Sequence, residues 1–510
     1  TELFDVTQGV EEVQLGGLWS FGVESEDHEV SVIYFITRTT EDTARLAEDT
    51  RGRALFFDDP LAPAADPARL PFFRFHTLDY TERTVQSLQF SGEHAFALSE
   101  FDLIPRYEIG DVFTLNPPVF RWRYARSESE EFEPDQRQFR SQWQVANASL
   151  PNLLPARFRP LTTAEFLGAN LIRTFERIKE ESQQFNVELE FPFEQWSGTE
   201  GYVKFGLFRD TVDRVFVQDT FTNQGAGGVF PEFPPPLGAG PPGDVPFDGV
   251  FFSEGYADSD FPNTAPVVNS ATDVPYTGLQ EIAAAYWMVD LPLTDWFRII
   301  GGIRYEDTVL QIAVDPEPNA TFVDLEQGVA RAFTPGLGDV DNERRDVLPA
   351  ISFVLTPNEQ WTFRTSYTET IARQTFRELA PVIQQEFAGG DRFVGNPDLQ
   401  IASVKNYDVR ADFRPYEGGL LSFSWFLKDI ENPIEIIQES TVFTGTFQVP
   451  VNFPSGRLTG VELETRHQLG SLFSKLEGLS IGANATFIES TVDVPPEQVP
   501  AATQEDTRPA

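Results

Sequence analysis

The sequence has no cysteine among its 510 residues. Disulfide scaffolds, thiolate nucleophiles and thiolate metal sites are therefore excluded, and the absence suits an exported protein. Histidine is scarce as well: His28, His76, His94 and His467 are the only four. None stands in an HxH or HxxxH spacing, so no imidazole metal site is expected. No stretch approaches the run of about 18 apolar residues that a transmembrane helix needs. The opening residues Thr1 to Asp5 lack the basic and apolar regions of a signal peptide, so an internal segment of a longer precursor is expected. Basic residues are few, 38 Lys and Arg against 79 Asp and Glu, for a net charge of −41. Phosphate backbones repel such a chain, which argues against nucleic-acid partners. Solvation by acidic loops is the simplest account of the charge.

What is present points to strands. Phe alone contributes 47 residues, and aromatics reach 13%, a composition that favours sheets over helical bundles. Phe297, Ile299, Gly301, Ile303 and Tyr305 alternate with Arg298, Gly302, Arg304 and Glu306, with Ile300 the one apolar intruder. Tyr407, Val409, Ala411 and Phe413 alternate with Asp408, Arg410, Asp412 and Arg414. Similar runs place Trp361, Phe363 and Tyr367 against Arg364, and Val461 and Leu463 against Glu462, Glu464 and Arg466. Roughly fifteen such segments of about 10–15 residues occur, longer than the usual strand of about 5–6. A tilted strand of about 9–11 residues spans a bilayer. Leu161 to Lys179 also has an amphipathic helical pattern, but a loop leading into a strand from about Leu171 fits the alternation that follows.

Connections alternate in length. Short turns are expected at 291–296, 356–360 and 415–419, and long excursions at about 221–276, 313–345, 372–402 and 431–457. Short turns on one rim and long loops on the other describe an outer-membrane barrel. In hydrocarbon a strand's polar backbone must be paired within a closed sheet. One face then meets lipid, and Arg298, Arg304, Glu306, Arg364, Asp408, Arg410, Asp412 and Arg466 face a lumen. Trp19, Trp287, Trp296, Trp361 and Trp425 suit an interfacial girdle. The Pro/Gly-rich stretch 233–244 reads as an exposed loop.

Several motifs, in order, resemble the TonB-dependent receptor family. Ala372, Arg373, Phe376, Glu378 and Leu379 match a segment commonly reading AxRPxFxEL, with Gln374 in place of Pro. Gly395, Asn396, Pro397 and Leu399 resemble GNPxL, followed by Tyr407 and Asp408. Phe426, Lys428 and Pro433 resemble FxKxIxxP. Asn452, Gly460, Glu462 and Glu464 resemble an N…GxExE strand. The clearest part covers about residues 345–490.

The resemblance implies an all-β fold: an antiparallel transmembrane barrel of the 22-stranded outer-membrane receptor type. Residues 1–510 are then a partial barrel domain, with the N-terminal plug and the closing strands lying elsewhere. The resemblance further implies a monomer in the outer membrane of a Gram-negative bacterium. Such a receptor imports a scarce solute such as a siderophore or glycan, energised by the TonB complex through the plug. No cofactor and no enzymatic activity are implied. A passive porin and a soluble β-rich binding protein are the alternatives.

The motif residues are expected to be mainly structural, with Gly395, Asn396 and Pro397 shaping a loop. A lumenal ion pair is expected of Arg373 and Glu378. Glu462 and Glu464 project to one side at i, i+2, but belong to a charged lumen row rather than an acid–base pair. Tyr256, Asp258, Asp260 and Phe261 are candidate ligand-loop residues. Asp258 and Asp260, with Asp248, have oxygen ligands suited to Ca²⁺ but no EF-hand spacing.

Overall fold

Strict alternation gives each strand two unlike faces, and the register between strands joins those faces into continuous surfaces. The computed structural model describes residues 4–48, 73–96, 114–144, 157–160, 171–223, 267–269, 273–318, 320–324, 329–334, 336–385, 390–441, 445–471, 473–495 and 507–509. Among these, fourteen long strands follow one another: β1 (Asp5–Glu24), β2 (His28–Glu48), β3 (Phe73–Ala95), β4 (Val119–Gln144), β5 (Leu171–Glu194), β6 (Glu200–Asn223) and β7 (Tyr276–Thr294). β8 (Phe297–Val314), β9 (Val340–Asn358), β10 (Trp361–Ala372), β11 (Ala402–Phe413), β12 (Gly419–Glu431), β13 (Ser455–Gln468) and β14 (Ser480–Asp493) complete the series. Each pairs antiparallel with the next, a meander with no crossover. Among the described residues β1 and β14 do not pair with each other. The fourteen stand against the roughly fifteen segments that alternation suggests, and the strand beginning at Leu171 is present.

Connection length sorts by parity as expected. Tight connections at 25–27, 195–199, 295–296, 359–360 and 414–418 lie on one rim, and the long ones, such as 373–401 and 432–454, on the other. Two connections on the tight rim, 96–118 and 469–479, are longer. Gly418, at φ 82°, supplies the left-handed residue that closes the turn into β12.

The apolar face is exposed along the sheet. Ile303 and Tyr305 are 36% and 46% exposed, and Val347, Leu421, Phe423 and Leu463 are exposed on neighbouring strands. Trp361 stacks on Phe413, with centroids 4.4 Å apart, and on Phe363. So much contiguous apolar surface suits lipid, not water.

Toward the long-loop rim this face turns charged within one step of the alternation. Ile36 gives way to Arg38, Tyr124 to Arg126, Leu207 to Arg209, Tyr305 to Asp307, Val347 to Arg345 and Tyr407 to Lys405. The border crosses the hydrogen-bonded rows obliquely: Tyr124 opposes Phe185, and Phe185 opposes Arg209 on its other side. Strands tilted to the membrane require this, because rows run perpendicular to strands while the bilayer surface does not.

At the tight-turn end, His28 and His94 are register partners with their Nδ1 atoms 3.2 Å apart. The Trp122 indole donates to His94 Nε2 at 3.1 Å. Since indole only donates, His94 accepts through Nε2. No local spacing announces this pair, because 66 residues separate its members.

Candidate functional site on the polar face

The polar face carries charges that neutralise one another across strands. Near the tight turns, Asp412 accepts from Arg364 at 2.5 Å, from Arg410 at 2.8 Å and from the Ser422 hydroxyl at 2.6 Å. Its side chain is only 4% exposed, so these three donors offset the cost of burying the charge. Arg410 also reaches Glu464 at 3.3 Å, and Glu464 pairs with Arg466. Arg298 pairs with Asp290 at 2.8 Å, and Arg304 with Glu306 at 2.7 Å. Asp408 accepts from Ser366 at 3.4 Å. By register Arg298, Arg304, Glu306, Arg364, Asp408, Arg410, Asp412 and Arg466 share this face. Tyr407 does not: it shares the apolar face with Tyr367, centroids 5.1 Å apart.

Toward the long-loop rim, loop 373–401 turns back onto the polar face. Arg373 pairs with Glu306 and donates to Thr308 Oγ1 at 3.1 Å, so the ion pair expected of Arg373 is present. Glu378 behaves otherwise. It closes a capping box on the one-turn helix α1 (Phe376–Leu379), with Thr375 as N-cap, and among the described residues it pairs with no cation. Its proximity to Thr375 fixes that role, since N3 of a short helix points back to the cap.

Phe376 lies on Gly278 of β7, where a Cβ would come within 2.5 Å of the ring. Phe376 and Leu379 then join Phe216, Tyr276, Leu310, Ile312 and Leu399 in one buried cluster. Leu379 is wholly buried, a burial that contributes about 1.5–3 kcal/mol. This cluster seals the loop to the wall.

The family-like motifs meet here. Gln374 donates to the Leu399 carbonyl at 2.7 Å. Gly395 packs so closely under α1 that a Cβ would sit 2.0 Å from the Ala380 oxygen. Asn396 donates from its backbone to Glu378 O at 2.6 Å and from Nδ2 to Pro450 O at 3.1 Å. Asn452 accepts from the Gln400 N–H at 2.7 Å and donates to the carbonyls of Gln400 and Asn432. Asn432 stands at positive φ, 55°, just before Pro433. Phe426 lies over Gly460 on the adjacent strand. Motifs far apart in sequence thus form one staple between the loops that follow β10 and β12, with Pro397 inside the turn between Asn396 and Leu399. Glu462 and Lys428 stand on the polar face by alternation.

Beneath the far end of the loop, Gln138 of β4 donates to Gln385 O at 3.4 Å. Beside it Glu133 and Glu176 oppose each other directly, between β4 and β5. Both lie well beyond the Tyr124 and Phe185 border, outside the lipid-facing segments. Burial, then the charges of Glu176 and Asp79, pushes Glu133 up to about 8. Burial also raises Glu176 to about 7, opposed by Arg377 and Arg214. No sequence pattern signalled this pair.

A family model described as "TonB dependent receptor-like, beta-barrel" matches residues 37–508. The chain belongs to the TonB-dependent receptor family. No curated protein matches it significantly. Solved structures with a similar fold include the ferric yersiniabactin uptake receptor FyuA from Yersinia pestis, at 13% identity, covering 96% of this chain and 62% of that one, TM-score 0.36. The ferric-catecholate import receptor Fiu from Escherichia coli K12 matches at 11% identity, covering 96% and 63%, TM-score 0.43. The siderophore receptor PiuA from Acinetobacter baumannii matches at 9% identity, covering 97% and 63%, TM-score 0.43. The chain therefore spans less than two thirds of the length of these structures. Within the TonB-dependent receptor barrel, the fourteen strands are its transmembrane sheet. Tyr256, Asp258, Asp260 and Phe261, with Asp248 and the stretch 233–244, lie outside the described residues.

Proposed function

We propose that this chain is the greater part of the barrel domain of an outer-membrane receptor that imports a scarce solute. Residues 1–510 are on this reading one partial domain, monomeric, in the outer membrane of a Gram-negative bacterium. The solute is a siderophore, a glycan or a similar small molecule. A plug outside this sequence fills the lumen and couples transport to the TonB complex, and the protein catalyses no reaction of its own. The observation that supports this best is loop 373–401. Its described residues are held against the polar face by Arg373 on Glu306 and Thr308 and by Phe376 on Gly278, are tied to loop 432–454 by Asn396 and Asn452, and form an inner wall at the long-loop end. Solute would enter over this wall, with Tyr256, Asp258, Asp260 and Phe261 as candidate first contacts.

The test is uptake by cells expressing the full-length gene, measured with a panel of radioiron-loaded siderophores and labelled oligosaccharides. Saturable accumulation of one solute, abolished by a protonophore or by loss of TonB, supports the reading. Non-saturable entry of all small solutes, indifferent to both treatments, establishes a passive porin instead.

A further inference from the structure

The ladder of β4 slips at one place toward both of its neighbours. Between Phe132 and Arg137 it spends one residue more than β3 does between Glu82 and Leu78. Between Glu133 and Gln136 it spends one more than β5 does between Thr174 and Glu176. Pro134 stands inside the slip, where it has no amide to donate. A bulge re-aims side chains, and this one leaves Glu133 directly opposite Glu176. Like charges so placed repel. Among the described residues Glu133 accepts one hydrogen bond, from the Thr81 hydroxyl at 3.4 Å, and Glu176 accepts none.

The pair lies between two places where loop 373–401 rests on the wall. Two residues along β5 from Glu176, Ile178 packs against the cluster that holds Phe376 and Leu379. Across the bulge from Glu133, the buried Gln138 donates to Gln136 Oε1 at 2.7 Å and to Gln385 O at 3.4 Å. The charges around the pair do not neutralise it. Asp79 on β3 and Glu131 on β4 add to the repulsion, with Glu41 on β2 facing Asp79. Arg83 is held by Glu131 at 2.8 Å and Arg214 by Glu180 at 3.4 Å. Arg377 approaches Glu176 from α1 and covers the Phe393 ring at 4.7 Å. Burial, with these carboxylates, pushes Glu133 up to about 8 and Glu176 to about 7, so the closed arrangement keeps a proton at neutral pH.

We propose that Glu133 and Glu176 form a proton-held latch beneath loop 373–401. While the pair keeps a proton, the loop rests on both contacts. Once both carboxyls are ionised they draw in water, and the segment around Ile383 to Gln385 lifts from β4. The cluster around Phe376 contains no carboxylate, so that end stays seated and the inner wall opens at one end only. A carboxyl raised in the seated state favours seating fully below its ordinary 4.5, and the advantage is lost as pH rises through 7 and then 8. That the lift regulates solute entry rests on the importer reading; the latch itself does not.

The experiment uses the full-length protein, folded in detergent, with one nitroxide-labelled cysteine introduced at Gln384. The label should be immobile at pH 6. Its mobile fraction should rise at least about threefold by pH 9, levelling off above about 8. A label at Asp398, beside the buried Leu399, should not change. The double variant E133Q/E176Q should hold the Gln384 label immobile at both pH values. Each single variant should at least halve the rise, which keeps the test open where the double variant does not fold. Mobility indifferent to pH in the wild type, or an undiminished rise in both single variants, overturns the latch. Non-saturable uptake by cells overturns instead the importer reading and leaves the latch standing.

Discussion

The side-chain amide of Gln374 donates to the Leu399 carbonyl at 2.7 Å, deep inside the loop that follows β10. Gln374 stands where the family pattern has Pro, and it joins two motifs, one on each side of α1. Its replacement by Ala leaves a buried carbonyl without its donor, at a cost of about 1–3 kcal/mol. The melting temperature of the detergent-folded protein should fall. Limited proteolysis should cut within 373–401 before any strand is released.

Ile303 and Arg304 are neighbours in β8 with opposite surroundings. Ile303 lies on the exposed apolar face, while Arg304 pairs with Glu306 and covers the Phe208 ring at 5.0 Å. Ile303→Arg should oppose membrane assembly by about 2–4 kcal/mol at mid-depth. Arg304→Ile should cost less, because Glu306 keeps Arg373 as a partner. The yield of heat-modifiable folded protein in outer membranes measures both, and equal losses would reject the assignment of faces.

Glu133 and Glu176 give the loop end a pH dependence. Glu133 is raised from an ordinary 4.5 to about 8, and Glu176 to about 7. At neutral pH and below, the folded protein keeps protons that the unfolded chain releases above 4.5. Their contribution to stability is therefore complete below that value, and is lost as pH rises through 7 and then 8. Thermal unfolding should occur at higher temperature at pH 5 than at pH 9. Glu133→Gln should shrink that difference, and a variant with an unchanged pH profile would contradict the account.

Period-two alternation on β8 and β11 was legible because each strand carries its own pattern, and loop parity needed only the spacing between patterns. The motifs point to loop-shaping residues, but not to the segments those residues bind. Asn396 and Asn452 look alike as polar loop residues, and only the folded loop shows that both bind carbonyls of other segments. Pairs such as His28 with His94, or Glu133 with Glu176, depend on the register of neighbouring strands. Register follows from tilt and bulges summed along the sheet, which no local window contains. The β4–β5 ladder slips just at Glu133 to Gln136. The lumenal ion pair expected of Glu378 is absent among the described residues for a related reason: its partner is the N-cap three residues back.

The central claim is that the alternating faces of these strands separate lipid from a polar interior. The chain has no cysteine, so single cysteines introduced along β8 report without background. Each is given a nitroxide label in the full-length protein, reconstituted in bilayers. Labels at 297, 299, 301, 303 and 305 should be accessible to oxygen dissolved in lipid. Those at 298, 300, 302, 304 and 306 should be shielded from it, and the pattern should end between Tyr305 and Asp307. Accessibility without a period of two, or oxygen contact equal on both faces, would contradict the account.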